Sequence, residues 1–217
     1  MADLIENRRS GRDRLSQVTA PPAEPVSLTT FKAHAQIDHD DDDTEVAIYL
    51  AAARGNIDGP DGWLGRALVQ QTWDMKLDGF PLGAATPHIQ IPLAPLISVD
   101  SITYRDTDGD TQTLASSVYQ VVDGGSLKSF IALEPSQSWP GTDARHDSVT
   151  VRFTAGYAPS EDSPPDYGAN VPGPIKAAIL LEAADMYRNR ETRVIGNSVV
   201  ELPTARRLLM PYRASWW

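Results

Sequence analysis

Apolar residues recur along this chain with a helical period in two stretches and with a strand period in the long segment between them. Ser27 is placed to cap a short helix carrying Leu28, Phe31 and Ala35 on one face, and that helix ends before the acidic run Asp38-His-Asp-Asp-Asp-Asp43. A second helix begins at the run. Asp41, Asp42 and Asp43 lie where the positive end of its dipole favours carboxylates, and Val46, Leu50, Ala53 and Ile57 form its inward stripe. Gly55, Gly59, Pro60 and Gly62 break it up. From Ala67 to Tyr157 the period shortens, giving about six short strands: Thr72 to Leu77, His88 to Ile91, Ile97 to Tyr104, Tyr119 to Val122, Phe130 to Leu133 and Val149 to Phe153.

The third of these is the clearest. After Pro92 and Pro95, Ile97, Val99 and Ser101 point one way while Ser98, Asp100, Ile102 and Tyr104 point the other. Asp106-Thr-Asp-Gly109 closes the strand as a turn, and Thr111 to Leu114 returns as the hairpin partner. The helical period resumes at Pro174, where proline suits a first turn and Ile175, Ala178, Ile179, Ala183, Met186 and Tyr187 give a wide apolar surface. Arg188, Arg190 and Arg193 fall near its C-terminal end, where cations are favoured. A last helix, started by Pro203 and reaching about Met210, carries Leu208 and Leu209 and leads into Tyr212-Arg-Ala-Ser-Trp-Trp217.

The beginning of the chain has neither period. Glu6 to Arg14 is charged and unpatterned, and Thr19-Ala-Pro-Pro-Ala-Glu-Pro25 reads as a linker, so Met1 to Glu24 is expected to become ordered only against a partner subunit. The expected organisation is an extended N-terminal arm over 1–26, N-terminal helices over 27–66 and a β-rich insertion over 67–157. A Pro-rich linker over 158–172, a long helix with its following loop over 173–200 and a C-terminal arm over 201–217 complete it. The fold class is α+β. At 217 residues and 23.6 kDa the chain can bury one substantial core. Cysteine is absent, which removes disulfides, thiolate chemistry and cysteine-ligated zinc. No apolar run approaches the ~20 residues that span a bilayer, and the first twenty residues lack the apolar core of a signal peptide, so a soluble cytoplasmic product is expected.

The formal net charge of −10 argues against a protein that grips nucleic acid through its phosphates. Solubility accounts for such a charge; so does a surface past which DNA must slide without sticking, and net charge alone does not locate the carboxylates. Sites for chemistry are scarce. An EF-hand loop starting at Asp38 needs glycine and glutamate where Asp43 and Tyr49 stand. Asp106-Thr-Asp-Gly-Asp110 reads as a turn rather than a metal loop, and Gly124-Gly-Ser126 as a turn rather than a nucleophile. His34, His39, His88 and His146 have no ligand spacing, and no phosphate loop or dinucleotide fingerprint occurs. No catalytic residue, cofactor or metal is expected.

Several short segments, in order, carry a resemblance: Pro25-Val-Ser-Leu28, Lys32-Ala-His34, Ile37-Asp-His-Asp40, Gln71-Thr-Trp73, Leu77-Asp-Gly-Phe80, Ile91 to Asp106, Ser138-Trp-Pro140, Phe153-Thr-Ala-Gly-Tyr157 and Pro172 to Leu180. In that order and spacing, over roughly residues 25 to 213, the chain resembles the head-tail adaptor (connector) family of tailed bacteriophages, prophages and gene transfer agents. The resemblance implies a small α-helical bundle with a β-rich insertion between its N-terminal and C-terminal helices. It also implies a non-enzymatic structural role: a ring of twelve subunits, a dodecamer, bound to the portal protein at the head-tail junction of a virion assembled in the host cytoplasm. A stopper or tail-terminator protein would follow, with DNA passing through the lumen without specific binding and no membrane involved.

The resemblance further implies that the C-terminal arm docks on the portal. The residue types there suit an interface on physical grounds, because aromatic and arginine side chains dominate interface hot spots: Arg206, Arg207, Leu208, Leu209, Tyr212, Arg213, Trp216 and Trp217. The alternative is that Trp216 and Trp217 fold back on their own subunit. Two other functions stay open. A tail-associated carbohydrate-binding β module would need Trp73 and Trp139 exposed side by side, and a small hydrolase would need a pocket of convergent titratable groups.

Overall fold

The computed structural model describes residues 14–82, 87–122, 129–190 and 204–214. The chain forms two compact units, one from Met1–Pro21 with Gln70–Gly156 and the other from Pro22–Val69 with Tyr157–Trp217. The first is built of strands and the second of helices, so this is a mixed α/β protein with two antiparallel sheets and four α-helices among its described residues.

In the helical unit, α1 spans Leu28–Ala35, α2 Asp43–Ile57, α3 Gly173–Arg188 and α4 Thr204–Leu209, followed by a 3₁₀ turn at Met210–Tyr212. Ser27 caps α1 as its sequence requires, its hydroxyl accepting the Thr30 N–H at 3.1 Å, and Gln36 ends the helix with φ 59°. The inward residues of α2 are Val46, Leu50, Ala53 and Ile57, the stripe read from the spacing. They meet Phe31 of α1, Ile175, Ala178, Ile179, Ala183 and Ala184 of α3 and Leu209 of α4 in one buried cluster. Met186 is only half-buried.

The acidic run joins helix ends. Asp42 accepts the Tyr187 hydroxyl at 2.7 Å and Arg190 at 2.8 Å, while Lys32 pairs with Asp43 at 2.8 Å and with Asp40. These donors hold the Asp42 carboxyl below its ordinary range, Tyr187 first and Arg190 second. The turn after α2 is dense: buried Asp58 accepts the Leu68 N–H at 2.8 Å and Arg54 at 3.0 Å, and Arg54 also binds Glu24 at 2.7 Å. The stretch expected as a linker over 158–172 is tied into this unit, with Val171 in the core and Asn170 donating to the Ala158 carbonyl at 2.9 Å.

The strand unit contains β1 (Leu15–Thr19), β2 (Gln71–Leu77), β3 (His88–Gln90), β4 (Leu96–Arg105), β5 (Thr111–Thr113), β6 (Tyr119–Val122), β7 (Phe130–Leu133) and β8 (Val149–Ala155). One sheet has the order β1-β2-β8-β4-β5 and the other β3-β7-β6. Along β2 and β8 the pairs Trp73↔Phe153 and Met75↔Val151 lie on the buried face. Asp74 and Arg152 pair on the opposite face through two bonds of 2.8 Å. The β4–β5 turn forms as expected: Gly109 has φ +89°, and the Asp106 carboxylate accepts the N–H groups of Asp108 and Asp110.

Strand β1 departs from the expectation for residues 1–26. Instead of awaiting a partner subunit, Leu15–Thr19 pairs with β2 of its own chain, with Leu15 opposite Met75 and Gln17 opposite Trp73; residues 1–13 lie outside the described residues. Gln17 reinforces the pairing by donating to Gln71 at 2.7 Å. Four of its five side chains are exposed, so it carries almost no apolar signal in the sequence. Its hold on the sheet is the backbone ladder plus Arg14, which binds Asp78 and lies 3.6 Å from Asp147.

Candidate docking surface

The C-terminal residues proposed from the sequence divide sharply once folded. Leu209 is 1 % exposed and belongs to the helical core, and Leu208 and Tyr212 pack half-buried against the same cluster. These three hold α4 to its own subunit. Arg206, Arg207 and Arg213 are exposed; Trp216 and Trp217, like Arg193, Pro203 and the Gly124-Gly-Ser126 turn, lie outside the described residues. The chain is pinned again just past the 3₁₀ turn, where buried Ala214 donates its N–H to the Leu64 carbonyl at 2.9 Å. Arg213 lies over the Trp63 ring, 5.1 Å from its centroid, and so already has an aromatic partner in its own chain.

Charge at the base of this surface is mixed. Burial raises the Glu182 carboxyl above its ordinary range, while a hydrogen bond from Asn56 and the charge of Arg206 act the other way. Arg206 thus helps keep a half-buried carboxylate ionised, and Arg207 faces solvent beside it.

The other candidate constellations resolve into structure. Trp73 is 7 % exposed with its indole N–H bonded to Gln71 at 3.2 Å, and Trp139 stacks on Phe80 with the rings 4.8 Å apart and nearly parallel. These two tryptophans therefore form no exposed aromatic platform. Asp78, Arg14, His146 and Asp147 cluster at an open, shallow depression, where His146 Nδ1 lies 3.0 Å from Asp78 and Arg14 draws the Asp78 carboxyl down to about 2. A carboxylate held that low by arginine is a structural anchor and a poor general base near neutral pH. The neighbouring Ser148 hydroxyl is committed to the carbonyls of Asp143 and Arg145, at 2.8 and 2.7 Å. Among the described residues no group of three or more His, Asp or Glu side chains is arranged to hold a metal ion, and no helix is long and apolar enough to cross a membrane.

One surface escaped the reading of the sequence. Helix α2 is apolar on both sides, since Ala47, Ile48 and Ala52 face outward and Ile48 is 63 % exposed. The signal was present as the nearly unbroken apolar run Val46 to Ala53.

No protein-family model matches the chain, and no curated protein matches it in sequence. Solved structures do resemble it. A chain in the neck of an empty gene transfer agent (GTA) particle, determined with C6 symmetry, superposes with a TM-score of 0.72 at 20 % identity, over 93 % of this chain and 95 % of that one. A chain in the virion of a native GTA particle gives the same values. A chain in the neck of a native GTA particle, determined with C12 symmetry, gives a TM-score of 0.67 at 19 % identity over the same shares. What these chains share with this one is the fold. It extends over both units, strands as well as helices, because nearly the whole of each chain is covered.

Proposed function

We propose that this protein is a non-enzymatic head-tail adaptor, a ring-forming neck component of a phage-like particle that joins the DNA-filled head to the next connector or the tail. The observation that carries the reading is the fold likeness to neck chains of GTA particles across 93 % of the chain. The ordered segments from Pro25 to Leu180 that resemble the adaptor family support it independently. In this reading the helical unit is the bundle, and the strand unit, apart from β1 ahead of the first helix, is an insertion in it. Twelve copies close into a ring beneath the portal, a stopper or tail-terminator protein binds the far side, and DNA passes through the lumen without specific contacts.

Portal attachment falls to the end of the chain. Leu208, Leu209 and Tyr212 anchor α4 to its own subunit and Arg213 lies over Trp63, which leaves Trp216 and Trp217 as the residue types suited to the portal. Ala214 is buried and bonded to Leu64, so the informative truncation removes Ser215 to Trp217 alone. That variant is expected to fold with an unchanged melting curve and to lose attachment to portal-containing heads in a co-sedimentation assay. Attachment at wild-type affinity would move the portal contact elsewhere on the subunit.

A further inference from the structure

A surface helix ordinarily carries polar side chains on its wet face, and a helix that is apolar all round is covered on both sides. Between its charged ends helix α2 carries apolar residues on both sides, yet its own chain covers one side only. Val46, Leu50, Ala53 and Ile57 fill the core, while Ala47, Ile48 and Ala52 present under two turns of outward surface without a charge. Gly55 extends that surface. A Cβ built there meets nothing within 4 Å, so packing within the chain does not call for glycine, whereas bare backbone lets a second surface approach closely.

The helical unit has a second outward apolar side chain of this size and exposure, Met210, which is 66 % exposed directly after α4. Arg206, Arg207 and Arg213 flank it along the chain, all exposed. Beside the N-terminal end of the α2 face stand Asp40 and Asp41, whose side chains are 91 % and 95 % exposed. The two surfaces therefore pair an apolar side chain with charges of opposite sign. Helix α3 packs against both α2 and α4, while those two make no comparable contact with each other.

Two unlike, complementary patches on one subunit are what a head-to-tail contact requires, and such contacts give a ring when the rotation closes. We infer that the outward face of α2 in one copy of this chain receives the α4 surface of the next, with Ile48 against Met210 and Asp41 against Arg206 and Arg207. This rests on the ring reading above and specifies its subunit contact.

The absence of cysteine makes the test clean. Ile48→Cys and Met210→Cys are combined in one chain, each single variant serves as control, and assembled rings or particles are treated with a short flexible bis-maleimide. Both positions are solvent-exposed, so folding is preserved and is verified by circular dichroism. The expected result is a ladder of covalent oligomers from the double variant, monomers only from either single variant, and loss of the ladder in Arg206→Glu/Arg207→Glu with recovery on adding Asp41→Arg. Rings visible by electron microscopy without a ladder would overturn the inference and leave the ring reading standing. Dimers from Ile48→Cys alone would also overturn it, by showing a symmetric α2–α2 contact. If the unmodified chain forms no ring even on portal-containing heads, the ring reading itself fails and the inference with it.

Discussion

Single residues constrain this chain at several places, and two of them are readily tested. Gly62 is one: a Cβ there would lie 2.3 Å from the Asp58 carbonyl oxygen and 2.5 Å from the Ile57 carbonyl, and both obstacles are backbone. Gly62→Ala is expected to destabilise the helical unit by about 1–3 kcal/mol, the usual range for overpacking, read as a shift in the chemical denaturation midpoint. Asp78 is the other, holding β1 through Arg14. Its carboxyl is lowered from 3.8 to about 2, chiefly by the Arg14 hydrogen bond, so its contribution is complete above pH 3.8 and is lost as pH falls toward 2. Half-exposure of the side chain keeps that contribution modest. Hydrogen-exchange protection of Leu15 to Thr19, measured against the intrinsic rate at each pH, should therefore be high at pH 5 and fall by pH 2.5, and Arg14→Ala should lower it at both. Protection that is unchanged in Arg14→Ala would mean that the backbone ladder alone holds the strand.

At the scale of elements, what the sequence made legible follows from where side chains point. The stripe of α2 could be read because burial there follows the helical period, and so could α3, where Ile175, Ala178, Ile179 and Ala183 are all buried. The alternation of β2 and β8 was readable for the same reason, one face buried and the other wet. Strand β1 was not, because its stability lies in backbone pairing that leaves no apolar period behind. Which strands neighbour each other was equally hidden, since β8 inserts between β2 and β4 from far along the chain. At the candidate docking surface the residue types were legible, but the division between Leu209 in the core and Arg207 in water was not, because one turn of helix presents both. Helix α3 depends most on the shared core. Replacing Ile179, which is 1 % exposed, with aspartate places an unpaired carboxylate there and is expected to cost more than the ~2–5 kcal/mol of truncation to alanine. A melting midpoint near wild type would show that α3 is not packed as described.

For the whole molecule, the strand and helical units share one chain but divide their work. The helical unit holds the surfaces assigned here to assembly: the outward face of α2, the cationic face of α4 and the end of the chain. The strand unit pairs Asp74 with Arg152 on the face of its large sheet opposite the buried Trp73 and Phe153. That division is consistent with the adaptor role proposed above. Its most direct test is electron microscopy of the purified chain mixed with portal-containing heads, compared with heads alone. The predicted result is an added closed ring, coaxial with the portal, whose subunit density fits this fold. Heads that acquire no such density at saturating protein, or acquire it anywhere other than the portal vertex, would contradict the assignment as a head-tail adaptor.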